Sequence, residues 1–473
     1  MPDWRFVRGR GERGPMNNTN DRKLNRRQFV AGALATAAVT GAVSNLPVSA
    51  AQSPNILFIL ADDMGWGDLS CYGRPDYRTP NLDQFAKQGM RFTNAYSAAP
   101  VCTPTRVGFY TGRYPARLPV GLEEPLTQRS QMGEKLKTLG IPHDHATVSS
   151  LIKKQGYDTA LVGKWHVGYL PNFSPLKIGF DEFFGNMSGA IDHFTHKDMT
   201  GELDLYEAEV PVDRIGYITD LLTTRAVDYI RRPHKNPFYL SLHYTSPHWP
   251  WEGPHDIEVS RALKRGYDGF TSGGSLKTYG EMMRNLDAGI GKVLAALGAA
   301  GLEKNTLVIF TSDNGGERFS FNWPFRGEKF DLHEGGIRVP AMVRWPGVTR
   351  PRSVSDHPVI TMDWTATMVA AAGGKPDPKY PLDGEDQSPI LIGQHSIADR
   401  TFFWRTSGQG AMRSGKWKYI REGKDEALYD LSVDEHEQAS FNETQPMKLA
   451  SLRSQYNEWE LAMQKYPKKA LGQ

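Results

Sequence analysis

Three carboxylates and one amide lie in two short polar stretches of this chain. Asp62 and Asp63 belong to ADDMGWGD, and Asp313 and Asn314 belong to SDNGG. Hard divalent cations bind oxygen ligands of this kind, whereas zinc favours His and Cys. Either pair alone could simply cap a helix or a turn. Because both pairs follow an apolar run, together they predict a Ca²⁺ site, with Mg²⁺ as the less favoured ion.

Lysines and histidines occupy three further stretches of the same kind. Lys164 and His166 alternate in GKWHVG, so both would point to the same side of an extended segment. His248 lies in SPHWP, and Lys329 lies in the glycine-bounded loop RGEKFDLHEGG. Beside a metal site, such groups would bind an anion with several oxygens and transfer protons. The competing interpretation is a set of solvated residues at strand ends.

A cysteine stands in the polar turn VCTPTRVGFYTGR. The chain has two cysteines, Cys71 and Cys102, so a single disulfide between them is an open alternative. Arg106 follows Cys102 more closely than in the loop of phosphatases that use a cysteine nucleophile. This spacing argues against a thiolate nucleophile at position 102.

The hydrophobic pattern predicts the elements that position these residues. Four apolar runs end in polar stretches, which is typical of buried parallel strands: residues 55–60, 159–162, 238–242 and 307–310. Three segments have helical periodicity before a glycine or proline: residues 148–152, 218–230 and 282–297. Alternating helices and strands predict an α/β fold with a large, mostly parallel sheet and helices on both faces. The polar stretches would meet beyond the carboxyl ends of the strands, where ligands bind in such sheets.

The sequence changes character after residues 373–378, where GGKPDP is typical of a linker. Three short strand-like runs follow, separated by SGK and EGKDE: residues 410–413, 417–420 and 427–429. A terminal helix is then predicted, with four side chains on one face: Leu449, Leu452, Tyr456 and Trp459. We therefore expect a catalytic domain over residues 51–375 and a small α+β domain with an antiparallel sheet over residues 376–473.

The first fifty residues have the features of an export signal. NRRQFV is a twin-arginine pattern, and a mild apolar run at residues 31–43 and a VSA cleavage site follow it. Thr36 and Thr40 interrupt the run, which argues against a membrane span. We expect a twin-arginine signal peptide over residues 1–50, recognised by the twin-arginine translocase. The protein would then be periplasmic or secreted, without a permanent membrane anchor.

Two alternatives remain open for this segment. It could be a basic, disordered N-terminus, and translation could begin at Met1 or at Met16.

The segment also accounts for the positive charge of the chain, since residues 1–50 hold eight of its 56 Lys and Arg and three of its 53 Asp and Glu. The rest is close to neutral, so neither nucleic acid nor a membrane surface is expected as a partner.

The cysteine turn and its companions resemble one known family. Cys102 to Arg106 reads Cys-x-Pro-x-Arg and is followed by Thr111-Gly112-Arg113, which resembles the signature of the type I sulfatases. Further stretches are similar to motifs of that family and occur in the same order: ADDMGWGD, GKWHVG, SPHWP, SDNGG and EGGIRVP. The resemblance covers most of residues 54–345, with fainter similarity in WKYI and LYDLSVDEHE. The family's fold is similar to that of alkaline phosphatase, which agrees with the predicted sheet.

The resemblance implies a mechanism based on a modified cysteine. Cys102 would be oxidised by the formylglycine-generating enzyme to Cα-formylglycine, whose hydrate carries two hydroxyls. Bound Ca²⁺ would lower the pKa of one hydroxyl so that it attacks sulfur, forms a covalent sulfate ester and expels the alcohol. The second hydroxyl would then lose its proton, which eliminates sulfate and restores the aldehyde.

The resemblance also implies a role for each matching residue. Five positions would bind Ca²⁺: Asp62, Asp63, Cys102, Asp313 and Asn314. Three cations would neutralise sulfate oxygens or hold the diol: Arg106, Lys164 and Lys329. His248 with Lys329 would protonate the leaving oxygen, and His166 would take a proton from the diol. Asp313 is the alternative base for the attacking hydroxyl.

These expectations describe a hydrolase of organic sulfate monoesters. Four polar residues of a Gly-rich insert after FDEFFG would line the substrate pocket, unless they are ordinary loop residues: Ser188, Asp192, His193 and His196. Cys71 has no place in the motifs and is predicted to be a small packed residue.

Two rival functions remain at this point. The first is a formylglycine-dependent phosphonate or phosphate ester hydrolase, and the second is an inactive protein that binds sulfated glycans. The sequence does not distinguish an aryl sulfate, a sugar sulfate or a sulfated glycan as the substrate. Exo or endo action and the oligomeric state are equally open.

Overall fold

The computed structural model describes residues 53–127, 133–394 and 399–467. The export signal predicted over residues 1–50 lies outside these residues. Their strands are β1 (Asn55–Ala61), β2 (Met90–Phe92), β3 (Ala95–Tyr96), β4 (Asp158–Gly163), β5 (Glu182–Asn186), β6 (Leu205–Glu207), β7 (Val210–Pro211), β8 (Phe238–His243), β9 (Thr306–Ser312), β10 (Ala341–Arg344), β11 (Ser353–Ser355), β12 (Val359–Ile360), β13 (Thr401–Arg405), β14 (Gln409–Ser414), β15 (Trp417–Glu422) and β16 (Asp425–Asp430).

The α-helices of the same residues are α1 (Pro80–Gln88), α2 (Cys102–Thr111), α3 (Gly133–Leu136), α4 (Val148–Lys153), α5 (Ile218–Arg231), α6 (Ile257–Ala262), α7 (Tyr267–Phe270), α8 (Leu276–Ala299), α9 (Glu334–Ile337), α10 (Thr361–Ala371), α11 (Ser388–Leu391) and α12 (Pro446–Leu461). None of these helices is long and apolar enough to cross a membrane.

A ten-stranded sheet forms the centre of the fold, in the order β11-β2-β10-β9-β1-β8-β4-β5-β6-β7. Its five central strands, β9, β1, β8, β4 and β5, are parallel. Strand β10 on one side and strand β6 on the other pair antiparallel with this central group. The four predicted apolar runs are the adjacent strands β9, β1, β8 and β4. The predicted large, mostly parallel sheet of an α/β fold is confirmed.

Strand β1 shows why the apolar runs are continuous. Ile56, Phe58 and Leu60 face a core built with α2, α4 and α10. Leu57 and Ile59 face the opposite core, built with α1, α5 and α8. Because successive side chains of a strand point to opposite faces, a strand covered on both sides needs apolar residues at every position. The predicted helices at residues 148–152, 218–230 and 282–297 are α4, α5 and α8, on these two faces.

The C-terminal part is a four-stranded antiparallel sheet in the order β13-β14-β15-β16. Helix α12 packs on it through Leu449, Leu452 and Tyr456, which contact apolar side chains of the sheet. The predicted antiparallel sheet and terminal helix are confirmed, whereas β13 was missed. The described residues belong to one compact unit, so the domain boundary near residue 375 stays a prediction.

A buried ion cluster joins this small sheet to the large one. The Lys418 ammonium on β15 donates to Glu334 Oε1 at 2.8 Å and lies 2.7 Å from Glu437 Oε1. All three side chains are fully buried. Glu334 begins α9 in the EGGIRVP stretch, and its other oxygen accepts from the Tyr96 hydroxyl at 2.6 Å. A lysine of the four-stranded sheet therefore holds the loop that contains Glu334.

We expect Lys418→Met to lower the free energy of unfolding by about 3 kcal/mol or more, because it removes the ammonium shared by two buried carboxylates, of which Glu334 keeps Arg338 at 3.2 Å. The matched control is Lys416→Met, since Lys416 is half exposed and pairs with Asp430 at 2.6 Å. Asp430 also keeps the Ser432 amide as a donor at 3.1 Å, and Lys416 lies half in solvent, so this variant should lose about 1 kcal/mol or less. Urea unfolding followed by tryptophan fluorescence measures both values, and equal losses in the two variants would contradict the prediction.

Candidate active site

The polar stretches meet where the central strands end. Ala61 at the end of β1 pairs with Ser312 at the end of β9, and Leu60 pairs with His243 at the end of β8. His243 also pairs with Gly163, the last residue of β4. Because the four ends lie in register, the residues that follow them are brought to one edge of the sheet.

The predicted cation ligands form one buried cluster. The Asp63 amide donates to Asp313 Oδ1 at 3.2 Å, and the Asn314 amide nitrogen donates to Asp63 Oδ1 at 2.7 Å. Asp63 has a positive φ of 61°, an uncommon backbone conformation for a residue other than glycine. Asp62 lies beside them and is fully buried. Burial and the Asp313 carboxylate raise the pKa of Asp62 well above its usual range.

Cys102 is the first residue of α2 and is buried at the same edge. Its sulfur and carboxylate oxygens of Asp62 and Asp313 lie within 4.8 Å of one another. The flanking threonines fix the turn: Thr103 Oγ1 donates to the His166 carbonyl at 3.1 Å, and Thr105 Oγ1 donates to the Ala99 carbonyl at 2.9 Å. Burial raises the pKa of the Cys102 thiol to about 11.

Arg106 lies one helical turn after Cys102 and bridges three strand ends. Its Nε and Nη2 lie 3.0 and 2.9 Å from Asp313 Oδ2, and its Nη1 donates to the Lys164 carbonyl at 2.9 Å. Its Nη1 also lies 3.2 Å from His243 Nδ1. Burial raises the pKa of Asp313, but Arg106 and Lys164 lower it below its usual value. Asp313 therefore keeps its charge more firmly than Asp62 does.

Lys164 and His166 both enter the site, but not as neighbours on an extended strand. Strand β4 ends at Gly163, whose φ of 114° turns the chain; a Cβ there would lie 1.8 Å from the His243 carbonyl oxygen. His166 has a φ of 58°. The prediction that Lys164 and His166 alternate along an extended segment was wrong. Gly163 and His166 both have left-handed backbone conformations, which bend the segment. Lys164 Nζ donates to Asp62 Oδ2.

The His166 ring is held in one orientation. Its Nε2 lies 2.8 Å from the Leu126 carbonyl, which can only accept, so Nε2 is the protonated nitrogen. Its buried Nδ1 has no hydrogen-bond partner. Burial, with the positive charge of Lys164, lowers the pKa of His166 well below its usual value. The ring is therefore neutral and presents an unprotonated nitrogen.

His248 and Lys329 form a pair on another side of the cluster. His248 Nδ1 lies 2.6 Å from the Trp249 carbonyl, so Nδ1 is protonated and Nε2 accepts from Lys329 Nζ at 3.2 Å. Lys329 Nζ also donates to Asp63 Oδ2 at 2.6 Å. Burial and Lys329 lower the pKa of His248 well below its usual value. Burial lowers the pKa of Lys329, but Asp63 together with other negative groups, among them Glu317, outweighs this effect and raises it.

Two residues of this cluster were not singled out from the sequence. Glu317 Oε2 lies 3.6 Å from Lys329 Nζ and accepts from Trp249 Nε1 at 3.0 Å. His243 contacts Arg106 and closes β8. The signal for both was available, since Glu317 directly follows SDNGG and His243 is the first polar residue after an apolar run.

A cavity of about 90 Å³ opens beside Cys102. Its lining includes four of the predicted site residues: Cys102, His166, His248 and Lys329. Ser188 also lines it, as expected. Asp192 instead accepts from the Ser260 hydroxyl at 2.8 Å, and His196 Nε2 lies 3.0 Å from the Gly216 carbonyl. His193 stacks on Tyr217. These three residues hold the surrounding loops together.

Both thiols are free, so the disulfide alternative is wrong. Cys71 is partly buried and packs against the core that contains α1, α5 and α8, as predicted for a small packed residue. Burial raises the pKa of Cys71 to about 12. Neither thiol is activated as a nucleophile.

The carboxylate cluster suits a hard cation. Asp62 Oδ1 and Asn314 Oδ1 are buried oxygens without a hydrogen-bond donor in the structure. Such oxygens are costly unless something binds them, and they are the ligand type that Ca²⁺ and Mg²⁺ prefer. Ligand atoms of Asp62, Asp63 and His248 also lie within 4.8 Å of one another. The donor set therefore fits a divalent cation bound mainly by oxygen.

The fold and this site match one family of known proteins. The family model described as Sulfatase matches residues 54–374. N-acetylgalactosamine-6-sulfatase of Rattus norvegicus is 36% identical over 403 residues, covering 80% of this chain and 74% of the rat protein. Arylsulfatase A of Bos taurus is 33% identical over 399 residues, covering 78% of this chain and 75% of the bovine protein.

Solved structures agree with the sequence matches. The crystal structure of Ps i-CgsB in complex with k-i-k-neocarrahexaose superposes with a TM-score of 0.78 at 30% identity, covering 87% of this chain and 94% of that one. The shared fold is of the alkaline phosphatase type. This chain belongs to the sulfatase family, and it is accordingly an enzyme of the sulfuric ester hydrolase class.

We expect neither cysteine to react with a thiol reagent in the folded protein at pH 8. Both are buried to a large extent, and their pKa values of about 11 and about 12 leave little thiolate at that pH. Protein made in a host that cannot oxidise cysteine should show no reactive thiol when native and two in urea, measured with Ellman's reagent. One thiol that reacts fast in the native protein would contradict this prediction.

Proposed function

We propose that the chain hydrolyses a sulfate monoester, releasing sulfate and an alcohol, with a nucleophile made from Cys102. The position of Cys102 is the main support for this proposal. Its buried sulfur lies within 4.8 Å of carboxylate oxygens of Asp62 and Asp313. A thiol whose pKa is about 11 is a poor nucleophile at neutral pH. Its oxidation to Cα-formylglycine by the formylglycine-generating enzyme gives this position a function.

The carboxylate cluster would hold Ca²⁺, or less favourably Mg²⁺. Four side chains supply its oxygen ligands together with the residue at position 102: Asp62, Asp63, Asp313 and Asn314. The hydrated formylglycine and the cation together would supply a hydroxyl of lowered pKa that can attack sulfur. Arg106 fixes the orientation of Asp313 from the opposite side, at 2.9 and 3.0 Å.

Lysines on two sides of Cys102 would bind the sulfate oxygens. Lys164 donates to Asp62, which has a carboxylate oxygen within 4.8 Å of the Cys102 sulfur, and Lys329 lines the cavity beside Cys102. The two ammonium groups are held in place by Asp62 and Asp63. Charge fixed in this way favours the transition state because it is oriented before the reaction.

The two histidines suit different proton transfers. His248 Nε2 already accepts from Lys329, so the pair can pass a proton to the leaving alcohol oxygen. His166 presents an unpartnered Nδ1 near position 102 and suits the role of a base. Asp313 keeps its charge and is the alternative base for the attacking hydroxyl. The carbonyl that each ring engages fixes its protonated nitrogen, which supports this division of roles.

Carbohydrate sulfates are the favoured substrates. Support comes from the relative named N-acetylgalactosamine-6-sulfatase and from the similar structure that holds a neocarrahexaose.

We also propose that the protein is exported by the twin-arginine translocase to the periplasm or beyond the cell, on the basis of NRRQFV and the apolar run that follows it.

We expect kcat/KM for 4-nitrophenyl sulfate to exceed that for 4-nitrophenyl phosphate and for a phenyl phosphonate by about tenfold or more. Cys102→Ala should lower sulfate turnover by about a thousandfold, because it removes the group that forms the covalent intermediate. Peptide mass spectrometry across residues 99–113 checks for the aldehyde in the same preparation. Faster hydrolysis of the phosphate or the phosphonate would favour the alternative function, a phosphorus ester hydrolase. Binding of a sulfated glycan without turnover would favour the other alternative, an inactive binding protein.

Removal of the cation should abolish turnover, and Ca²⁺ should restore it better than Mg²⁺. Asn314→Ala removes one predicted ligand, so about tenfold more Ca²⁺ should be needed for half-maximal recovery after treatment with a chelator. The matched control is Asn285→Ala on α8, where the amide oxygen is equally unpartnered but lies outside the carboxylate cluster. Full activity in exhaustive chelator, or equal shifts in both variants, would contradict the metal assignment.

A further inference from the structure

The cavity beside Cys102 contains a buried hydroxyl that the protein itself does not use. Tyr169 lines the cavity and is only 6% exposed. Its phenolic oxygen has no hydrogen-bond partner in the structure. A buried hydroxyl without a partner destabilises a folded protein by about 1–3 kcal/mol. A hydroxyl kept in this position at the reacting centre is suited to a ligand.

A carboxylate lines the same cavity with one oxygen engaged and the other available. Asp198 is 4% exposed, and its Oδ1 accepts from the Thr200 amide at 2.8 Å, the Thr200 hydroxyl at 2.6 Å and the Glu202 amide at 3.2 Å. These bonds close a tight turn and fix the carboxylate plane. Oδ2 takes no hydrogen bond from the described residues, so it is a preorganised acceptor.

Neighbouring hydroxyls of the cavity wall are already engaged with the protein. Ser188 Oγ donates to the Ala190 carbonyl at 2.8 Å and contacts Asp204. Thr200 Oγ1 donates to Asp198. Apolar side chains such as Leu126 and Trp249 form other parts of the wall. Among the buried side chains of this wall outside the catalytic cluster, Tyr169 and Asp198 each offer an open hydrogen-bonding position.

The two groups have complementary hydrogen-bonding roles. Burial, followed by the carboxylates of Asp204 and Asp198, raises the pKa of Tyr169 well above its usual value. The phenol therefore stays protonated and can donate, whereas an ionised carboxylate only accepts. Both residues line the same cavity, and a hydroxyl is the group that can accept from the phenol and also donate to Asp198 Oδ2. A sulfate or carboxylate group has no proton to donate and would be repelled by the negative charge.

We propose that Tyr169 and Asp198 bind a free hydroxyl of the substrate close to its sulfate ester. They thereby select a monosulfated, hydroxyl-bearing alcohol such as a sugar monosulfate over a ring with a second sulfate at that place. This inference rests on the proposed sulfatase function and specifies its substrate. An aryl ester without a hydroxyl leaves both groups unpaired, and sites built to pair a hydroxyl discriminate strongly against such analogues.

The test compares kcat/KM for three kinds of substrate in protein with converted Cys102. These are 4-nitrophenyl sulfate, the singly sulfated galactoses, and galactose disulfates that carry a second sulfate next to the first. Tyr169→Phe should lower kcat/KM for the best monosulfate about tenfold more than for 4-nitrophenyl sulfate, as expected for one lost hydrogen bond. Because the deleted hydroxyl is unpaired, the variant should melt at or above the wild-type temperature.

Asp198→Asn tests the charge separately. It should reduce the preference for the monosulfate over the disulfate at least about fivefold, because an amide no longer repels the second anion. The matched control is Tyr229→Phe on α5, which also deletes a buried, unpartnered phenolic hydroxyl but lies outside the cavity. This control should leave all substrate ratios at their wild-type values.

Failure of the inference and failure of the proposed function give different results. Absence of turnover of every sulfate ester by fully converted protein would overturn both. Turnover of sulfate esters with the same substrate ratios in wild type, Tyr169→Phe and Asp198→Asn would overturn the inference alone. A preference of the wild-type protein for the disulfates over the monosulfates would also overturn the inference alone.

Discussion

Buried carboxylates at adjacent strand ends must be balanced by positive charge, and the rest of the structure depends on this constraint. Asp62, Asp63 and Asp313 are buried together, and uncompensated buried carboxylates are very costly. Three cations offset them: Arg106, Lys164 and Lys329. Each cation comes from a different part of the chain. The docking of helix α2, the turn after β4 and the loop before α9 is therefore enforced by electrostatics as well as by packing.

That requirement explains several local features of the site. The threonines beside Cys102 fasten the start of α2 to the surrounding loops, at 2.9 and 3.1 Å. Asp63 and His166 both adopt left-handed backbone conformations, which place their side chains where a regular strand would not. The buried Lys418 of the small sheet binds Glu334 and so fixes the EGGIRVP loop. Residues of the four-stranded sheet do not line the cavity beside Cys102 among the described residues.

Long elements with a clear period were predictable, and short or bent ones were not. The central strands and helices α4, α5 and α8 followed directly from their apolar runs and spacing. Strands such as β2 (Met90–Phe92) are too short to show a period, and β13 (Thr401–Arg405) was missed although it completes a predicted sheet. The bend at His166 was not predictable from residue type, because a left-handed histidine is stabilised by its tertiary surroundings and not by its own preference.

The sequence by itself determined which chemical groups are available and that they follow strand ends. Carboxylates, an amide, lysines and histidines in short polar stretches already predicted an oxygen-rich cation site with an anion-binding site beside it. Only the tertiary structure decided the partners: Asp63 and Asp313 are 250 positions apart and yet hydrogen-bonded. It also decided which histidine nitrogen is free, and that Tyr169 and Asp198 share the cavity. The physical reason is that pairing, burial and protonation are set by neighbours in space, which sequence spacing does not encode.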